Sequence, residues 1–85
     1  MTLRIAPHVA WQIVDGEAVI VDLSSGKTMG LNPSATFIWS HIDGREESQI
    51  ANMTAEQFGI DRGEAASDVH QFLAEMSGRR VVVEE

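Results

Sequence analysis

Asn32 and Pro33 divide this chain in two. Asparagine is favoured as the cap before a helix, and proline at the first helical position, where its fixed φ suits the helix and its missing N–H needs no partner. Before this pair the apolar residues alternate; after it they recur every three or four positions. Alternation belongs to a half-buried strand and the longer period to an amphipathic helix. Strands are therefore expected first and helices after them.

In residues 8–14, Val9, Trp11 and Ile13 fall on one side and His8, Ala10 and Gln12 on the other, the pattern of a strand with one buried face. Asp15 and Gly16 supply the positive φ angles of a tight hairpin turn. A second strand rich in β-branched residues follows over 18–23, then a turn at Ser24, Ser25 and Gly26, then a short third strand over 27–31. Residues 1–7 read as a loose lead-in.

Beyond Asn32, the residues Ala35, Ile38, Trp39 and Ile42 make the apolar stripe of a first helix, ended by Asp43 and Gly44. A second helix is expected over 47–58, burying Ile50, Met53 and Phe58 and stopped by Gly59. Asp61 caps a third, with Glu64 three residues on, as in a capping box. Its stripe is the cleanest in the chain: Ala65, Val69, Phe72, Leu73 and Met76, ending at Gly78. Residues 81–83 form an apolar tail that reads as a strand returning to the sheet. The whole is a single α+β domain over residues 1–85, a three-stranded antiparallel sheet followed by three helices. The short connection at Gly59 and Ile60 makes it winged helix-turn-helix-like.

With 85 residues the chain has room for one thin core. It contains no cysteine, which removes disulfides and thiolate metal sites and fits a reducing cytoplasm. No secretory signal pattern and no apolar run of membrane-spanning length is visible, so a cytoplasmic protein without a membrane partner is expected. The net charge of −7, with its six Lys and Arg residues scattered, argues against nucleic acid, because phosphate neutralisation supplies most of such affinity. The third helix carries Asp61, Glu64, Asp68 and Glu75 against Arg62, a face that phosphate would repel.

Catalytic chemistry finds no foothold. His8, His41 and His70 lie on separate elements, none with a second histidine at ligand spacing, so no metal is expected. No Ser, His and acid grouping has the context of a nucleophile elbow, and the glycines form no phosphate loop, so neither catalytic residues nor a cofactor are expected. The pairs Glu46 with Glu47 and Glu84 with Glu85 read as solvated ends.

The third strand is more informative. Lys27, Thr28, Met29, Gly30 and Leu31 contain one charge and no proline. In a meander this strand is an edge, and edges normally carry protection against pairing with other chains. Gly30 allows another backbone to come close. Two readings follow: an open edge beside an apolar helix, suited to capturing a peptide by strand addition, or an edge shielded by the returning tail.

The run Val19-Ile20-Val21-Asp22-Leu23-Ser24-Ser25-Gly26-Lys27 and the run Gly30-Leu31-Asn32-Pro33-Ser34-Ala35 resemble the pattern of PqqD-like proteins. So do Ile38-Trp39, Asp43-Gly44, Ile50-Ala51, and Asp68-Val69 followed by Phe72-Leu73. The resemblance spans about residues 9–83. It implies a non-enzymatic recognition element of ribosomally made, post-translationally modified peptides. Such an element binds the leader of a precursor peptide as an added strand on the third strand, against the third helix. It presents that leader to a modifying enzyme such as a leader peptidase, a cyclase or a radical SAM enzyme. Carried over, it implicates Lys27, Thr28, Met29, Gly30 and Leu31 through backbone groups, and Asp68, Val69, Phe72 and Met76 on the helix. The Pro-Glu-Gly turn typical of the quinone pathway is replaced by Asp22-Leu23-Ser24-Ser25-Gly26, closer to stand-alone members found with lasso peptides. The competing readings are a winged-helix DNA-binding regulator and a non-catalytic subunit or oligomerisation module of a larger enzyme.

Overall fold

The computed structural model describes residues 2–85. The strands are β1 (Leu3–Ile5), β2 (Val9–Val14), β3 (Glu17–Asp22), β4 (Thr28–Gly30) and β5 (Val82–Glu84). The helices α1 (Pro33–Ser40), α2 (Glu47–Phe58) and α3 (Arg62–Gly78) lie between β4 and β5. Strands β2, β3 and β4 form the expected antiparallel meander. Its first turn is the anticipated one: Asp15 and Gly16 both hold positive φ, 52° and 79°, the mirror-image turn whose twist matches the flanking strands.

Two expectations for the ends of the chain are corrected. The lead-in is a strand, and the tail does not return to the meander: β1 and β5 pair with each other, Leu3 opposite Glu84 and Ile5 opposite Val82, as a separate two-stranded sheet. Leu3 and Val82 are buried in the core, and Leu3 N donates to Arg45 O at 2.8 Å, which ties this clasp to the segment between α1 and α2. Three residues of alternation are too few to register as a strand when the partner lies at the opposite end of the chain.

The helices start where their caps predict. Asn32 Oδ1 accepts from Ala35 N at 2.8 Å, with Pro33 in the first turn. Gln49 Oε1 accepts from Glu46 N at 2.9 Å at the head of α2, and Gly59 closes that helix in the left-handed region. Asp61 Oδ2 takes the amides of Gly63 and Glu64. Helix α1 ends at Ser40, short of Asp43 and Gly44, because His41 N turns back to Ile38 O. After α3 it is Arg80, not Gly78, that adopts the positive φ, 62°.

One core joins the layers, with Trp39, Ile20, Ile42, Ile50, Val69 and Val81 essentially without solvent contact. Each such side chain contributes roughly 1.5–3 kcal/mol by leaving water. Inside it, Thr36 Oγ1 accepts from Ala18 N at 2.8 Å, so the end of β3 is satisfied by a helix side chain instead of a strand. Phe58, expected inside, is 41% exposed and stacks edge-on against Phe37. Trp11 and Ile13, expected on a buried face, are 38% and 51% exposed: they do face the helical side, where Trp11 meets Trp39 edge-on at 6.1 Å, but β2 overhangs the helices at the rim of the sheet.

Candidate functional site

Which groups of β4 are free follows from its register. Val19, Ile20 and Val21 stand opposite Gly30, Met29 and Thr28. At the two ends of this ladder Asp22 N donates to Lys27 O and Leu31 N to Ala18 O, each at 2.9 Å. Hydrogen-bonded and non-bonded pairs alternate in an antiparallel ladder. Lys27, Met29 and Leu31 therefore turn their backbone groups inward to β3, and Thr28 and Gly30 turn theirs outward. No strand of the described residues lies beyond them. The edge is open, and the tail that could have shielded it is engaged with β1.

A wall stands beside this edge. A groove of about 340 Å³ runs between β4 and α3. Met29, Gly30, Leu31 and Asn32 form one side; Phe72, Glu75, Met76 and Arg79 form the other, with Ala35 of α1 at the end. Phe72 is half-buried against the core and presents its remaining surface to the groove. A second hollow continues from it past Met29 and Arg79 to Lys27, Ser25, Asp22 and Val81. Asp22 is fixed there by its own turn: its Oδ1 accepts from Ser24 Oγ at 2.6 Å, Ser24 N at 2.9 Å and Ser25 N at 3.3 Å. The Ser24 hydroxyl, aided by the two amides and by His8, holds the Asp22 carboxyl below the ordinary 3.8.

The structure thus brings Met29, Gly30, Leu31, Phe72 and Met76 together around one groove, with Lys27 and the outward backbone of Thr28 along its edge. Val69 is wholly buried and belongs to the core. Asp68 is exposed, one turn before Phe72 on the same helix, outside the groove lining. Asn32, Ala35, Glu75 and Arg79 were not anticipated. Glu75 and Arg79 follow Phe72 at the three- and seven-residue spacings of one helix face, so that signal was present in the sequence. No group of three or more His, Cys, Asp or Glu residues that could hold a metal occurs among the described residues, and no helix there is long and apolar enough to cross a membrane.

A three-stranded meander with one open edge, backed by three helices, defines a domain of the winged-helix-like kind. The family model for coenzyme PQQ synthesis protein D matches residues 17–82, and the chain belongs to this PqqD family. Two solved structures share its fold. TbiB1 in complex with the TbiA(beta) leader peptide is 23% identical with a TM-score of 0.89, the match covering 100% of this chain and 98% of that one. A lasso peptide synthetase B1 complexed with the leader peptide is 20% identical with a TM-score of 0.87, covering 99% and 100%. No curated protein sequence matches this chain at a significant level.

Proposed function

We propose that this protein is a non-catalytic recognition element. It binds the leader segment of a ribosomally made precursor peptide as an added strand on β4 and presents it, in the cytoplasm, to a modifying enzyme such as a leader peptidase, a cyclase or a radical SAM enzyme. The observation that carries this reading is the outward set of backbone groups on Thr28 and Gly30, unpaired and lying along a groove that mixes Phe72 with the polar side chains of Asn32, Glu75 and Arg79. Family membership supports it, as do the leader peptides bound to the two similar structures. The mechanism is binding alone. The outward N–H and C=O groups supply sequence-independent hydrogen bonds, and the groove reads alternate side chains of the added strand. Phe72 forms its apolar patch, backed by the buried Met76, and Lys27 borders the backbone edge. Val69 lies behind this patch, wholly inside the core. Asp68, one turn before Phe72, meets a peptide that runs on past the groove. Holding a leader in this way raises the concentration of its attached core near the enzyme.

Amide exchange tests this directly. A peptide selected from a displayed random library against the intact protein serves as the probe. In the free protein the amides of Met29 and Leu31 exchange slowly and those of Thr28 and Gly30 fast. With the probe bound, Thr28 and Gly30 slow as well. A bound peptide that leaves both of them fast-exchanging would refute strand addition at β4.

A further inference from the structure

The meander has a second edge. Along β2 the ladder to β3 pairs Val9 with Asp22 through to Val14 with Glu17. Just beyond its end Leu23 N donates to His8 O at 2.8 Å. By the same alternation His8, Ala10, Gln12 and Val14 bond inward, and Val9, Trp11 and Ile13 point outward. Val9 N is already taken by Ala6 O at 3.2 Å. Trp11 and Ile13 are left with both backbone groups unpaired. This edge is six residues long, carries no charge and no proline, and holds three of the large apolar side chains that solvent reaches: Trp11, Ile13 and Val14. The usual protections of an edge strand are missing, and no helix walls it off as α3 walls β4.

We infer that β2 is a self-association surface, where a second copy of this chain pairs antiparallel to the first and joins the two meanders into one continuous sheet. The register argues for a second copy as the occupant. A two-fold axis through Gln12 sets Trp11 opposite Ile13 of the second copy and Ile13 opposite its Trp11, so the backbone groups of both residues find partners. An axis one residue earlier would need the Val9 amide, which Ala6 occupies. The Gln12 register also stacks an aromatic ring on a β-branched side chain across the strands, a stabilising cross-strand pair. It lays Gln12 beside Gln12 of the second copy. Both β4 grooves stay open at the outer edges of the joined sheet. The association does not depend on leader binding. One strand pair and a few side chains bury less than a standard interface, so the dimer is a weak one that forms at micromolar concentrations and above.

Sedimentation of the full chain over a concentration series, in roughly 0.5 M salt to screen the repulsion between two copies of charge −7, reads it directly. The mass rises from 9.3 kDa towards twice that value. Ile13→Pro removes an outward N–H at an exposed edge position and leaves the inward ladder intact. It should stay monomeric with an unchanged fold by circular dichroism, and Ile13→Lys should behave the same. A wild-type chain that remains monomeric to about 1 mM, well above typical weak-complex constants, overturns the inference. So does a dimer that both variants leave undisturbed. A surface whose variants lose only a modifying enzyme, with no self-association in the wild type, also overturns it and assigns β2 to a different partner.

Discussion

Proline placed at Met29 and at Gly30, one residue apart, separates folding from binding. Met29 directs its N–H to Ile20 across the ladder. Met29→Pro deletes that bond, worth about 0.5–1.5 kcal/mol, and leaves the Ile20 carbonyl without a donor beside the core, a further ~1–3 kcal/mol. A loss of about 2–3 kcal/mol moves the midpoint of a domain this size by roughly 10–20 °C. Gly30 directs its N–H outward, and a β-carbon built there meets nothing within 4 Å. Met29 before it is extended, as proline requires of its predecessor, and the unfolded chain loses glycine's freedom. Gly30→Pro should therefore melt within a few degrees of the wild type. It also removes a hydrogen bond that an added strand needs and puts a ring in that strand's path, so affinity for the library-selected peptide falls at least about tenfold, or ~1.4 kcal/mol. Thermal melts and titration calorimetry on both variants decide the matter. Equal stability of the two would refute the ladder register. A folded Gly30→Pro protein that binds at full strength would refute the placement of the peptide on β4.

Further outcomes follow from the core and the turn. Thr36→Val keeps the volume but orphans the Ala18 amide, and chemical denaturation should show a loss of about 1–3 kcal/mol. Val69→Ala should cost about 2 kcal/mol of stability without changing the affinity of the folded protein. Phe72→Ala should weaken binding in the same titration, and Asp68→Ala should weaken it with stability held within ~0.5 kcal/mol. Because the Ser24 hydroxyl holds Asp22 below 3.8 in the folded protein, the carboxylate's contribution is complete above that value and is lost as the pH falls through the lower folded one. Asp22→Asn should flatten the acid limb of a melting-temperature profile below about pH 4, and an unchanged limb would contradict this role.

Helix starts, the end of α2 and the meander were legible in the sequence because local chemistry writes them: Asp15 and Gly16, Asn32 and Pro33, Gly59 and Asp61 each act within a few residues. The clasp of β1 and β5 was not, since it depends on a contact between opposite ends of the chain. The exposure of Trp11, Ile13 and Phe58 was missed for a related reason. Periodicity reports which side a residue faces, not whether anything stands there, and β2 reaches past the helices. The site was half legible. The edge strand with its single charge and the stripe through Phe72 and Met76 were visible, but the parity of the outward groups needed the ladder. That Val69, on the same stripe, lies outside the groove lining needed the packing of α3 against the core.

The clasp gives the chain the topology of a nearly closed ring. Thr2 N donates to Glu85 O at 3.1 Å and Glu85 N to Thr2 O at 2.8 Å, so the two ends described here meet at a single point, joined through β1 and β5 instead of through the meander that carries the groove. A short linker between them can make the backbone circular without breaking a strand pair. In the chain-entropy view, closing a loop of this length restricts the unfolded ensemble by about 4.5 kcal/mol. For the same reason the fold can hang from another polypeptide by both ends at once, as an insertion with one point of attachment and both sheet edges left free.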